Sequence, residues 1–223
     1  MKNKVSVLMT VFNAEKFIAE AIRSIINQSY KNWNLVIVDD KSNDRSIEII
    51  KKKFKNKKIK LIKLNKHIGR TNALIVGLKK CTGEFTAIMD ADDISSIDRL
   101  SLQADFLDNN KLIGMTGTWA KIIDSSGDEI NKVKLPTTSR TINKRMRYGN
   151  QFIHGSAMFR KEVFLDVDGY DESFKFSQDY DLWLRIIKKS NIININKYLY
   201  FLRVHDDSIS IKNNGSQLEN AAR

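Results

Sequence analysis

The sequence predicts an α/β domain built on a mixed, mostly parallel sheet flanked by helices, and three observations carry that prediction. Runs rich in Val, Ile and Leu recur, each ending in polar residues, as buried strands do. Between the first two runs, apolar residues fall at helical spacing. The resulting strand, helix, strand unit has the length of a right-handed crossover, and the pattern then repeats.

Taken in order, "KVSVLMTVF" (4–12) reads as the first strand. Ala14, Phe17, Ile18, Ala21, Ile22, Ile25 and Ile26 form the buried stripe of a helix, and "NLVIVDD" (34–40) is the second strand. A helix through Ile47, Ile50 and Phe54 follows, then a short strand at 58–64, a helix over 70–81 closed by Gly83, and the strand "FTAIMD" at 85–90. Past residue 95 the alternation changes. A helix over 97–109 precedes two strand-like arms flanking the turn "SSGD" within 115–135, the pattern of a hairpin. A basic helix (139–148), a strand (152–159), a short helix (161–166), an acidic loop (166–181), a helix carrying Leu182, Trp183, Ile186 and Ile187, and a strand (192–204) follow. No linker-like stretch interrupts this order. Residues 1–223 are therefore expected to form one domain, with 1–95 as its first half and 96–223 as an extension of the same sheet.

With 223 residues, 42% of them hydrophobic and 29% charged, the chain has the make-up of a globular protein with a sizeable core. Its longest apolar runs, such as "LVIV" (35–38), fall far short of the roughly 20 residues a membrane-spanning helix needs. The opening "MKNKVSVLMTVF" has the basic start of a secretory signal but no small-residue cleavage site, so it reads as a core strand. The single Cys81 excludes an internal disulfide and suits a reducing compartment. A cytoplasmic location is expected, with peripheral attachment to the inner face of the plasma membrane as a variant of it. Lys and Arg number 38 against 26 Asp and Glu, giving a net charge of +12 that favours a polyanionic partner. The densest basic run, "KKKFKNKKIK" (51–60), reads first as a solvated helix end and second as a contact for anionic lipid or a phosphate-bearing acceptor; nucleic acid is not expected.

In open α/β sheets the ligand crevice lies beyond the carboxyl ends of the strands. Three strands here end in candidate groups: Thr10 to Asn13, Asp39 with Asp40, and Asp90 to Asp93. Helix capping accounts for some of them, Asn13 before the first helix and Ser42 or Asp44 before the second. Capping explains "DADD" less well, because three carboxylates within four residues repel unless a cation or several donors hold them. Mg²⁺ or Mn²⁺ is the natural remedy, taking one or two carboxylates and completing its shell with substrate phosphates and water.

Together these segments resemble the family 2 glycosyltransferases of the GT-A fold, inverting enzymes that use nucleotide-diphosphate sugars. The resemblance rests on the opening "VSVLMTVFNAEKFIAEAIRSIINQSYKNWNLVIVDDKSND" followed, in the family's order, by "GRTNAL", "DADD", "GSAMFRKE", "GYDE", "SQDYDLWLR" and "RVHDDSIS". It implies that Thr10, Val11, Phe12, Asn13, Asp39 and Asp40 hold the nucleotide base and ribose, and that Arg70 and Asn72 contact the nucleotide or its phosphates. An arginine suits the diphosphate through its fork of donors. Asp92 is implied as the chief metal ligand, with Asp93 and His205 beside it and Asp90 near the ribose. Asp179 is implied as the base that deprotonates the acceptor hydroxyl, with Asp181 a lesser candidate. Gln178 stands where the family carries glutamate, Thr10 where many members carry proline, and Lys41 where many carry glycine. Gln178, Asp181 and Trp183 are expected near the donor sugar or acceptor, although the place of Trp183 on the apolar face of its helix favours core packing over stacking on a sugar.

The implied reaction moves a hexosyl or N-acetylhexosaminyl group from a nucleotide-diphosphate sugar, UDP being the expected nucleotide, to a hydroxyl of a glycan or lipid-linked acceptor, as in bacterial surface polysaccharide synthesis. Two other readings stand beside it. A sugar-phosphate nucleotidyltransferase should carry a glycine-rich phosphate loop near its start, which "TVFNAEKF" is not. A non-catalytic nucleotide-binding or membrane-docked module would account for the lysine run alone.

Overall fold

The computed structural model describes residues 3–174 and 176–205. Its first half alternates as the periodicity requires: β1 (Val5–Val11), α1 (Ile18–Ile26), β2 (Trp33–Asp39), α2 (Ser46–Lys53), β3 (Ile59–Lys63), α3 (Arg70–Leu78) and β4 (Phe85–Asp90). The second half comprises β5 (Ile94–Ser95), α4 (Arg99–Asn109), β6 (Ile113–Ile123), β7 (Glu129–Val133), α5 (Ser139–Arg145), a 3-10 turn (His154–Ser156), β8 (Met158–Arg160), α6 (Lys161–Leu165), α7 (Gln178–Ile187) and β9 (Asn191–Arg203).

Among the described residues all nine strands join one mixed sheet in the order β3-β2-β1-β4-β8-β6-β9-β5, with β7 paired to β6. The first four are parallel. β8 runs antiparallel to both β4 and β6, while β6 and β9 are parallel. Because side chains alternate across a strand, β1 feeds both faces of the sheet. Val5, Val7 and Met9 pack with Ile18, Ile22 and Ile25 of α1 and Leu100 and Leu107 of α4. Leu8 packs on the other face, in the layer that holds Leu74 of α3, Ile142 of α5 and Leu182 and Trp183 of α7.

Two features of this fold place the site. Strand order reverses at β1, whose successors β2 and β4 lie on opposite sides of it, and a ligand crevice opens at such a switch point. The register then aligns the ends, pairing Thr10 with Asp90 and Val11 with Asp39.

The hairpin forms as expected, with Gly127 at φ +95° in its turn and the Asp124 carboxylate accepting the Ser126 and Asp128 N–H groups. The strand expected over 152–159 does not. Residues 154–156 turn as a 3-10 segment and only 158–160 pair, because Gly155 sits against the Tyr200 hydroxyl, where a Cβ would fall 1.9 Å from the oxygen. The two-residue β5 is too short for any periodicity to reveal. Among the described residues no helix is long and apolar enough to cross a membrane.

Candidate active site

The loops that leave β1 and β2 are laced together. Asn13 at φ +52° accepts the Asn43 N–H at 2.9 Å and gives its own N–H to Ser42 Oγ at 3.0 Å. Ala14 N–H reaches Ser46 Oγ and Glu15 N–H reaches Asp44, both at 2.9 Å. Asn13 therefore clasps the neighbouring loop and does not cap α1, whose N-cap position is Phe17. Asp44 takes the Ser46 N–H at the start of α2 from one position before the N-cap, which is Arg45 and not the Ser42 or Asp44 expected from sequence. Lys41 adopts φ +63°, so the turn where the resemblance expects glycine keeps its left-handed backbone despite the side chain's strain. Phe12 remains 49% exposed, its ring 4.3 Å from that of His67.

Asp39 and Asp40 are both 2% exposed. Asp40 accepts the N–H groups of Ile68 and Gly69 at 2.8 and 2.9 Å, and His67 Nδ1 lies 2.9 Å from its Oδ2. Its carboxylate thus fixes the turn that launches α3, where Gly69 takes φ +84°. Arg70 is the first residue of that helix. Asn72, one turn into α3, donates to the Ile68 carbonyl at 3.0 Å.

From there Arg70 reaches across the end of β1. Its Nη2 lies 2.5 Å from Asp90 Oδ1 and 2.8 Å from His154 Nδ1. A guanidinium can only donate, so His154 Nδ1 is the acceptor and its Nε2 carries the proton, donated to the Tyr170 hydroxyl at 2.7 Å. Burial and the Arg70 charge hold His154 below the ordinary histidine range, in the neutral form this arrangement requires. Burial pushes the Asp90 carboxyl upward, but the Arg70 guanidinium, with a smaller contribution from Arg99, more than reverses this and holds it below the usual carboxylate range. Burial opposes the charge on Arg70 in turn, while Asp90, Asp92 and Asp179 together raise its pKa above the ordinary value. One guanidinium thus senses carboxylates from the end of β4 and from α7.

In "DADD" the aspartates divide by direction. Asp92 is partly exposed, and its Oδ2 lies 3.0 Å from His205 Nε2. Asp93 is 1% exposed, with Oδ1 accepting the Arg203 N–H at 2.7 Å. Burial and the neighbouring Asp92 and Asp90 push the Asp93 carboxyl well above the usual range. Asp93 therefore turns inward, away from the partly exposed Asp92, and braces the loop from inside through its bond to the Arg203 N–H; burial takes it out of the metal set expected from sequence. Arg203 completes the brace, giving Nε to the Asp92 carbonyl at 2.8 Å, Nη1 to the Asp124 carbonyl at 2.9 Å and Nη2 to Glu20 at 2.6 Å. Among the described residues no cluster of three or more His, Cys, Asp or Glu side chains could hold a metal. One carboxylate beside one imidazole fits Mn²⁺ or Mg²⁺ as a partial donor set that phosphate and water oxygens would complete.

Asp179 is the second residue of α7, where the helix dipole favours a carboxylate, and Asn150 Nδ2 donates to its Oδ2 at 2.7 Å. Asp181 is taken by Arg185, 2.5 Å away and one turn on. Gln178 is 6% exposed at the start of α7. Trp183 is fully buried, packed among Phe152, His154 and Phe159. It presents no face to a sugar, which corrects its assignment there and leaves the core role.

The family model described as "Glycosyl transferase family 2" matches residues 6–167. The chain belongs to glycosyl transferase family 2. It is 33% identical to the putative glycosyltransferase EpsE of Bacillus subtilis over 98% of this chain and 79% of that protein. It is 34% identical to the O-antigen biosynthesis glycosyltransferase WbnJ of Escherichia coli over 92% of this chain and 81% of that one. A third relative, 30% identical over 86% of this chain and 73% of its own length, is the Escherichia coli UDP-Glc:alpha-D-GlcNAc-diphosphoundecaprenol beta-1,3-glucosyltransferase WfgD. Among solved structures, S. aureus TarS 1-349 in complex with UDP superposes with a TM-score of 0.76 at 24% identity, over 90% of this chain and 60% of that one. The mannosyltransferase PcManGT of Pyrobaculum calidifontis, in complex with GDP-Man and Mn²⁺, gives 0.74 at 18% identity, over 96% of this chain and 60% of its own. The architecture is that of GT-A glycosyltransferases.

In this family 2 chain the fold brings Thr10, Asp39, Arg70, Asp90, Asp92, His205 and Asp179 toward one edge, while Val11, 1% exposed, offers that edge only backbone. Sequence reasoning passed over the groups that hold them: Asn150, His154, Tyr170, Tyr200 and Arg203. Signals existed for some, since Tyr170 lies inside "GYDE", Arg203 opens "RVHDDSIS" and His154 directly precedes "GSAMFRKE". Residues 206–210 of "RVHDDSIS" lie outside the described residues.

Proposed function

We propose that this glycosyltransferase moves a sugar from a nucleotide-diphosphate sugar, UDP-linked, to a hydroxyl of a glycan or lipid-linked acceptor, with inversion, in bacterial surface polysaccharide synthesis. One observation carries the reading: the Arg70 guanidinium lies beside the ends of β1 and β4, 2.5 Å from Asp90 and 2.8 Å from His154, where the polar ends of the parallel strands meet the second half of the chain. WbnJ by its name serves O-antigen biosynthesis, and WfgD by its name uses UDP-Glc and a diphosphoundecaprenol-linked acceptor, which supports this choice of donor and acceptor.

In this reading residues 1–95 form the donor half of one domain. Phe12 offers an exposed ring to the nucleobase, Thr10, Asn13 and Asp39 line the ribose side, and Asn72 and Asp90 stand beside the arginine that meets the phosphates. Asp40 acts through the turn it anchors. Asp92 and His205 would hold Mn²⁺ or Mg²⁺, which when bound neutralises charge on the departing diphosphate. Residues 96–223 form the acceptor half. Asp179 accepts the proton of the acceptor hydroxyl as that oxygen bonds to the anomeric carbon, and the bond to the nucleoside diphosphate breaks on the opposite face. Asn150 points the carboxylate, and Gln178 borders the acceptor. Thermal denaturation with a panel of nucleotide sugars and Mn²⁺ tests the proposal: one sugar nucleotide should raise Tm by specific binding, and a panel without effect would sink it.

A further inference from the structure

No acidic residue occurs between Glu129 and Glu162, yet the segment carries α5 and a dense set of cations. Ile142 and Met146, one turn apart, are buried and anchor the helix to the body. At 3.6 residues per turn, Arg140 and Lys144 share the opposite stripe of α5, Arg147 follows in the turn just past the helix, and all three are exposed. Tyr148 beside them is 86% exposed. Among the described residues none of these three cations is held in an ion pair. A charged stripe with an unpacked aromatic at its end matches the chemistry of a bilayer interface, where phosphates meet cations and a tyrosine ring sits at headgroup depth.

Position adds a second argument. The end of α5 is clasped to the start of α7, with the Tyr180 hydroxyl donating to the Met146 carbonyl and Asn150 to Asp179. The stripe is therefore fixed relative to the base. The lysine run at the end of α2 leads instead into β3, the outermost strand at the other end of the sheet order. An acceptor delivered from a surface on α5 arrives at Asp179; one delivered at β3 does not.

We propose that the Arg140, Lys144, Arg147 and Tyr148 face docks on anionic phospholipid membrane and presents a lipid-borne acceptor to Asp179. This rests on the reading of Asp179 as the base and places the membrane contact on α5, away from the 51–60 run.

The test is sedimentation of the full chain with vesicles of phosphatidylcholine, with and without phosphatidylglycerol. The wild type binds only the anionic vesicles, and binding weakens with salt. The triple variant Arg140→Glu, Lys144→Glu, Arg147→Glu loses at least about 100-fold in vesicle affinity, and Tyr148→Ala loses less. The charge-matched control Lys51→Glu, Lys52→Glu, Lys53→Glu binds within a few-fold of wild type. Equal binding to neutral vesicles, a control as damaging as the α5 triple, or capture of a soluble polyanionic polymer in place of vesicles overturns the proposal. Nucleotide-sugar protection measured on the same variants keeps the two readings apart: it is unchanged in the triple, and its absence from every protein, wild type included, would sink the transferase reading while leaving the vesicle result standing.

Discussion

At the ends of β1, β2 and β4 the functional groups are placed by backbone register: Thr10 pairs with Asp90, and Val11 with Asp39, whatever their side chains do. On the other side of the crevice, Asp179 and His154 sit at a helix start and in a 3-10 turn, and they are aimed by single side-chain partners, Asn150 and Tyr170. The donor side should therefore tolerate loss of individual contacts, whereas the acceptor side depends on each one. Arg203 is the exception that joins the two, since it lies on β9 yet braces the carbonyl of Asp92, the carboxyl of Asp93 and Glu20 of α1.

The largest effect should come from cutting that joint. Arg203 is 2% exposed. Arg203→Ala is expected to destabilise the fold by about 3 kcal/mol in urea titrations, because it strands buried acceptors and loosens the "DADD" loop. A loss below about 1 kcal/mol would show that the halves are not stitched there.

Next in size is the acceptor side alone. Asn150→Ala should lower turnover about tenfold, the worth of one hydrogen bond to a carboxylate, with donor affinity unchanged. Equal losses in both would blur the division between the halves.

His154 supplies a smaller, pH-dependent effect. Its folded pKa is lowered by burial and by Arg70, so as pH falls through the free-histidine value of about 6.5 the unfolded chain takes up a proton that the folded chain refuses. Its contribution to stability is complete above that pH and is lost below it. The decline in Tm between pH 7 and 5 should be shallower in His154→Asn; identical slopes would mean that the imidazole is protonated in the fold.

The smallest effect is an absence of reaction. Burial pushes the Cys81 thiol up to about 12, so iodoacetamide at pH 8 should leave the native chain unmodified and alkylate it in urea. Rapid native alkylation would mean that this layer of the core opens.

How much of this could be read from sequence follows from the same contrast. The parallel strands were legible because burial on both faces forces continuous apolar runs, and because their polar ends announce the crevice. Asp40 as the anchor of α3 was not legible, since its partners are backbone N–H groups of residues that carry no signal of their own. Gly155 hid a turn inside an apolar run, and only contact with Tyr200, far along the chain, explains it. Trp183 and Asp93 show the same limit: their types suit a sugar or a metal, and burial alone assigns them to the core and to the brace.

Donor and acceptor sides divide the labour, and one paired measurement reaches that division directly: nucleotide-sugar affinity in Mn²⁺ and turnover, compared between Asp92→Ala and Asp179→Asn. The expected result is donor affinity at least about tenfold weaker in Asp92→Ala, and donor affinity kept in Asp179→Asn while its turnover falls by about 1,000-fold. Asp179→Asn turning over near the wild-type rate, or losing donor affinity as fully as Asp92→Ala, would contradict it.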